Sequence, residues 1–301
     1  MSATTAAAVG LARRRANYAR RYWVFAVPAA VVVVAVIIFP WLFTVFMSLH
    51  EWDPSHGLSW VGLSNYATLL SDTRFGWAVL RTLYFSVLSV GAPLILGVAA
   101  AVCFNQRFPL RGVARTIFIL PMMATPVAIA LVWSMMFHPQ LGVLNYILTS
   151  LGLPPSTWTY AANTVIPTLA MVETWQWTPL VMLIVLGGLA SLPQDPYEAA
   201  RIDGASGWQS FRHITLPLLW PFIIVAAVIR TIDALKSFDV IYVITQGGPG
   251  TASETMNIFL YQEAFAYYKL GYASAVTLVF FALIVVISLV MLKLRQREKW
   301  Q

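Results

Sequence analysis

The chain has 301 residues, of which 59% are hydrophobic and 10% charged, with a net charge of +7 and a mean hydropathy of +0.73. Soluble domains carry roughly 25% charged residues, so this composition excludes an ordinary soluble globule and reads as an integral membrane protein. One cysteine, Cys103, excludes an intrachain disulfide and any cysteine-based metal site.

In chain order, a small-residue stretch leads to Arg13, Arg14, Arg15, Arg20 and Arg21, then to an apolar run over about 23–49. That run is too long for a signal-peptide core and no small-x-small site follows it, so it is read as a retained first span, with residues 1–21 as a cytoplasmic tail. The polar stretch from His50 to Trp77 has the Asp-Pro and glycine content of an exposed loop. A second span covers about 78–104, with Gly91, Pro93 and Gly97 inside it, residues that membrane helices tolerate for close packing or bending. A short basic loop with Arg107, Arg111 and Arg115 precedes a third span at about 116–137, which contains Pro121 and Pro126. Between His138 and Asn163 there is no charged residue, and the amphipathic piece Leu141–Leu151 suits an interface.

The fourth span is expected over about 164–192, the fifth over 218–240 and the last over 270–292, with residues 293–301 as a second cytoplasmic tail. Spans of ~20 residues fit a hydrocarbon core of ~30 Å, and the count is about six. Arginine and lysine gather in the N-terminal stretch, the loop at Arg107–Arg115, the polar run 193–217 and the C-terminus, whereas the opposite loops hold little beyond Arg74 and Lys269. The positive-inside rule then puts both termini and the run 193–217 in the cytoplasm. Tryptophans near the span ends, Trp158 among them, read as interface anchors.

The run 193–217 is one of the few polar runs of any length and lies between two strongly apolar segments. Pro193 and Pro196 end one span and open a short helix near Tyr197, with Asp195 as the expected N-cap and Glu198 in the dipole-favoured first turn. Gly204 breaks that helix, Ser206–His213 suits a second one, and Pro217 opens the next span. The expected product is a helix–turn–helix elbow lying across the membrane surface.

Charges inside spans are costly and mark function or packing. Glu173 and Arg230 fall at similar depth in the fourth and fifth spans, Glu173 ~12 Å from the outer end at 1.5 Å per residue. Glu173, Gln176 and Trp177 share one helical face, and Arg230, Asp233 and Ser237 share another. Carboxylate, amide, guanidinium and indole groups are those that bind sugars, so these six residues are the expected lining of a sugar cavity; a structural ion pair is the alternative reading. Another polar feature is the outer loop Gly247-Gly248-Pro249-Gly250, where glycine allows close backbone approach. No nucleotide-binding loop, catalytic constellation or metal-ligand cluster appears in the sequence.

The spacing Glu198-Ala199-Ala200, three residues, Gly204, nine residues, Ile214, one residue, Leu216-Pro217 resembles the EAA loop of binding-protein-dependent ABC importer permeases. The resemblance covers about residues 20–295, and the loop Thr245–Thr255 is similar to that of the MalF/UgpA-like group of sugar importers. It implies an all-α polytopic fold of the type I ABC importer permease class, six transmembrane helices, N-in/C-in, in the plasma membrane of a bacterium. Glu198, Ala199, Ala200, Asp203, Gly204, Ile214, Leu216 and Pro217 would then dock on an ATPase subunit. The resemblance further implies that this chain is not an enzyme and carries no cofactor, ATP and Mg being held by the partner ATPase. Its partners would be a second homologous permease subunit, a homodimeric ABC ATPase, an extracytoplasmic binding protein touching Gly247–Gly250, the sugar and the bilayer, with no nucleic acid. The expected cargo is a carbohydrate, a disaccharide such as trehalose, with another sugar or glycerol phosphate as the alternative. Compared with the maltose permease, the chain lacks an extra pair of N-terminal spans and a large outer domain. A proton-coupled secondary transporter using Glu173, Arg230 and Asp233 would require inverted repeats, which the sequence does not show.

Overall fold

A computed structural model describes residues 25–53 and 55–297; the arginine-rich N-terminal tail expected over residues 1–21 lies outside them. Contacts divide the described chain into two compact units, one of residues up to Leu69 with Tyr268–Leu278, the other of Leu70–Tyr267 with the residues from Val279 on.

The first unit starts with α1, Phe25–Ser48, an apolar helix that buries almost none of its surface within the chain and so presents a face suited to lipid tails. An antiparallel hairpin follows, β1 (His50–Asp53) with β2 (Gly57–Trp60), in the register His50 to Trp60 and Asp53 to Gly57. Asp53 sets its turn: the carboxylate accepts from the backbone N–H of Ser55 at 2.7 Å and of His56 at 3.1 Å. Helix α2 (Ser64–Ser71) is tied to the end of α1, Asn65 Nδ2 donating to the carbonyls of Ser48 and His50 at 2.9 and 3.0 Å. The last helix passes so close to the hairpin that a Cβ on Gly271 would fall 1.9 Å from the His50 carbonyl oxygen, so only glycine fits there.

In the second unit, α3 (Thr73–Asn105) and α7 (Val165–Ala190) pack along most of their length, with α9 (Gly207–Leu235) against both. Helix α3 is started by Asp72, whose side chain accepts from the N–H of Arg74 at 2.8 Å. Small residues set the helix spacing. A Cβ on Gly97 would lie 2.6 Å from the Val181 side chain, and one on Gly188 2.6 Å from the Phe222 ring.

The expected third span is not one straight helix. Helix α4 (Arg111–Met123) and α5 (Pro126–Met136) meet at 97°. Ala124 and Thr125 are both extended; Pro126 excludes Thr125 from helical geometry and itself begins α5. The described chain thus has five helices long and apolar enough to cross a membrane, or six with this bent pair. Helix α6 (Val143–Ser150) occupies the uncharged amphipathic stretch. Beside it Trp158 is tied into the fold: its Nε1 donates to Asn145 Oδ1 at 2.8 Å and its ring packs against Phe137.

The fifth span also departs from expectation, since α9 ends at Leu235 rather than near Val240. Lys236 and Ser237 take i−3 bonds that tighten its last turn, Phe238 leaves helical geometry, and α10 (Asp239–Thr245) starts afresh with Asp239 in its dipole-favoured first turn. Helix α11 (Met256–Tyr261) runs into a π turn at Gln262–Ala266, and α12 (Leu270–Arg297) continues beyond the expected end of the last span.

Candidate functional site

Along α7 the burial pattern changes character twice. Residues up to Val172 join one apolar cluster with Phe85, Ile129 and Val240. Residues from Val181 join a second with Ala101, Leu219 and Ala226. Between them lies a polar layer formed by three helices: Glu173, Gln176 and Thr178 on α7, Ser86 and Ser89 on α3, and Arg230 on α9, all buried.

Arg230 is fully buried and holds the layer together. Its Nη2 donates to Glu173 Oε2 at 3.0 Å and to the Ser89 carbonyl at 3.4 Å, and its guanidinium lies 5.0 Å from the Trp177 ring centroid. Ser237, just past the end of α9, donates to the other oxygen of Glu173 at 3.0 Å. The carboxylate is therefore held by one cation and one hydroxyl, as a buried charge requires. Nε and Nη1 of Arg230 find no hydrogen-bond partner among the described residues.

A cavity of about 280 Å³ opens onto this layer. Glu173, Trp177, Arg230, Asp233 and Ser237 line it, joined by Lys236 and Asp239. Asp233 and Lys236 pair loosely at 3.7 Å and are half exposed, so the accessible polar groups sit at the rim and the tight pair at the floor. Five of the six residues expected to line a cavity thus share one. Gln176 does not: its Nε2 reaches back to the Ala124 carbonyl at 3.4 Å, at the break between α4 and α5. The free carbonyl that the proline break leaves there is what draws the amide away.

The second candidate site is the elbow between α8 (Asp195–Ile202) and α9. The expected N-cap is displaced by one position. Gln194 occupies it, without a side-chain bond, and Asp195 and Pro196 are already helical. Helix α8 ends in a Schellman motif, Ala205 N–H donating to Ala200 O at 2.9 Å and Gly204 N–H to Arg201 O at 3.2 Å, with Gly204 at φ +74°. Ser206 and Gln209 then form a reciprocal capping box that starts α9. Helix α9 passes through a π turn at Phe211–Thr215 and runs on without interruption, so Pro217 lies inside a helix that Ser206, not Pro217, begins. Tyr197 Oη donates to Thr215 Oγ1 at 3.1 Å and fixes the angle of the elbow. Glu198, Ala199, Asp203, Gly204 and Pro217 are exposed, Ile214 and Leu216 partly so, and Ala200 is buried. Sequence reasoning passed over the two largest exposed apolar side chains here, Ile202 at 87% and Trp208 at 68% exposure, which flank Gly204; their signal was bulk without a core to enter.

The third is the loop after α10. Gly247 (φ +96°) is buried, with Ile258 Cγ2 at 3.0 Å from where its Cβ would stand. Gly248 and Pro249 are partly exposed and Gly250 is exposed, so the outward tip is Pro249–Thr251.

The sequence matches the family described as "Binding-protein-dependent transport system inner membrane component" over residues 93–300. It is 39% identical over 272 residues to a trehalose/maltose transport system permease protein, MalF, of Thermococcus litoralis, covering 88% of this chain and 90% of that protein. It is 33% identical over 273 residues to the trehalose transport system permease protein SugA of Mycobacterium tuberculosis, covering 89% and 86%. Its fold matches a crystal structure of a bacterial ABC transporter involved in import of the acidic polysaccharide alginate, with a TM-score of 0.82, 23% identity, and 95% of this chain and 100% of that one covered. The chain is a multi-pass membrane protein, a permease rather than an enzyme, and it belongs to the family of inner membrane components of binding-protein-dependent transport systems.

Proposed function

We propose that this chain is one of two permease subunits of an ATP-driven importer for a neutral disaccharide, trehalose in the first instance. The observation that carries the reading is the polar layer between two apolar clusters, opening into a cavity that presents an indole, a hydroxyl and charged groups together. The cavity is small beside the about 300–1,000 Å³ of typical ligand pockets, as suits one wall of a site shared with a second permease. The names of relatives that move trehalose and maltose favour the same cargo.

Coupling follows from the elbow. Helix α8 is short, sharply capped and exposed on the face carrying Glu198, Ala199 and Gly204, and Tyr197 joins it to α9, which carries Arg230. An ATPase dimer, holding ATP and Mg, closes against the elbow and moves α9 as a rigid lever. An extracytoplasmic binding protein delivers sugar at the loop Gly247–Gly250.

The test is uptake of labelled trehalose, maltose and glycerol phosphate in cells lacking only this chain. Selective loss of trehalose uptake, restored by the wild-type chain and not by Asp233→Asn with Ser237→Ala, supports the reading. Loss of maltose or glycerol phosphate uptake alone would replace the cargo. Full restoration by the double variant would remove the cavity from the substrate path.

A further inference from the structure

The loop Gln246–Thr255 lacks the apolar bulk to hold its own shape, yet it is firmly fixed. Ser253 Oγ donates to the Gly248 carbonyl at 2.6 Å and is within hydrogen-bond distance of Thr245 Oγ1, at 2.8 Å. From outside it is gripped by the first turns of α3. The Arg74 guanidinium bonds Glu254 through two nitrogens, with Nε to Oε2 at 3.0 Å. It also reaches Glu263 Oε1 at 2.9 Å and Gln262 Oε1. Its face lies over the Phe259 and Tyr267 rings, at 5.0 and 5.6 Å. Glu254 and Glu263 are 1% and 3% exposed, and the ion pairs with Arg74 help to make their burial tolerable.

Two turns along the same face of α3, Arg81 Nη2 donates to Thr251 Oγ1 at 3.2 Å, at the tip of the loop. The neighbouring Thr82 Oγ1 accepts from the Met256 N–H at 2.8 Å. Residues 74, 81 and 82 thus clamp the loop at its tip and at its far end. The same helix continues to Ser89, whose carbonyl accepts from Arg230 in the polar layer.

We propose that Arg74 is a positioning residue: it latches the loop to α3, so that a protein docking on Pro249–Thr251 acts on the helix whose Ser89 carbonyl holds Arg230 in the cavity wall. The proposal rests on the reading that this loop meets the binding protein. A planar, bidentate cation is needed because three separate segments must be held at fixed angles, which a lysine ammonium does not do.

The experiment uses the assembled transporter in nanodiscs with its sugar-loaded binding protein. Basal ATPase and the binding-protein concentration giving half-maximal stimulation are measured for wild type, Arg74→Gln, Arg74→Lys and Arg81→Gln. Gly250→Cys cross-linking to the binding protein is measured in the wild-type and Arg74→Gln backgrounds. The latch predicts that Arg74→Gln raises the half-maximal concentration about tenfold, leaves basal ATPase unchanged and lowers cross-linking. Arg74→Lys recovers part of the loss, and Arg81→Gln shows a smaller shift of the same sign. Absence of cross-linking in the otherwise wild-type chain would sink the docking reading itself. Equal cross-linking and an unshifted half-maximal concentration in Arg74→Gln would sink the latch while leaving that reading in place. Should Arg74→Gln fail to assemble, an unshifted Arg81→Gln overturns the latch by itself.

Discussion

Arg230 shows how far a single residue can be read from sequence. An arginine in an apolar segment demands a partner, and Glu173 at similar depth is the evident one; their 3.0 Å contact follows from the energetic cost of either alone. What sequence does not carry is the third dimension of the site: the Ser89 carbonyl, the Trp177 ring beneath the guanidinium, and the diversion of Gln176 to Ala124. Arg74 was invisible for a related reason. It stands at a span end, where arginines are usually solvated, and its carboxylate partners Glu254 and Glu263 lie far along the chain. The Glu173–Arg230 pair admits a direct test of binding against packing. Removing one partner leaves a buried charge uncompensated and should cost about 3–5 kcal/mol, read as a loss of folded protein in detergent. Replacing both, Glu173→Met with Arg230→Met, removes the charge problem and should restore much of the folded fraction. If the pair serves transport, the double variant assembles and does not take up sugar. Normal uptake by the double variant would show that the pair only packs helices.

At the scale of elements, the elbow was legible because its signals are local. Proline, an acidic first turn and a glycine fix a short helix within a few residues; the departures are a one-position shift of its N-cap and a following helix that starts at Ser206 rather than at Pro217. The bend of 97° between α4 and α5 was harder: Thr125-Pro126 permits a kink or a full break, and tertiary packing decides between them. Two predictions belong here. Gly204→Ala puts a Cβ at φ +74°, where left-handed geometry costs about 1–2 kcal/mol. The space around it is open, so the loss should fall on the angle of the elbow rather than on folding. Membrane levels should stay normal while transport per ATP hydrolysed falls. Trp208→Ala removes an exposed indole with no core to disturb. If the elbow docks on the ATPase, the change should weaken ATPase retention by about 1–3 kcal/mol, read by co-purification against salt. Wild-type retention in that variant would place the contact surface elsewhere on the elbow.

For the whole molecule, the helical class and the approximate spans follow from hydropathy, but the packing does not. Gly97 and Gly188 read as ordinary small residues until Val181 and Phe222 are found against them. Sidedness is the one global property that charge pattern alone suggests, and the fold makes it testable. Helix α3 holds the loop Gln246–Thr255 at its Arg74 end and borders the elbow at its Asn105 end, where Asn105, Gln106, Gln194 and Arg201 line one pocket of about 310 Å³. At 1.5 Å per residue, 33 residues span about 50 Å, longer than a hydrocarbon core of ~30 Å. If α3 crosses the bilayer, the loop tip and the elbow lie on opposite faces of the membrane. We propose that the arginine-rich elbow end is cytoplasmic. In a Cys103→Ser background, Thr251→Cys should react with an impermeant maleimide in intact right-side-out spheroplasts. Trp208→Cys should react only after permeabilisation. The reverse pattern would turn the protein over in the bilayer and, with it, the assignment of the elbow to an ATPase; reaction of both from one side would mean that α3 does not cross at all.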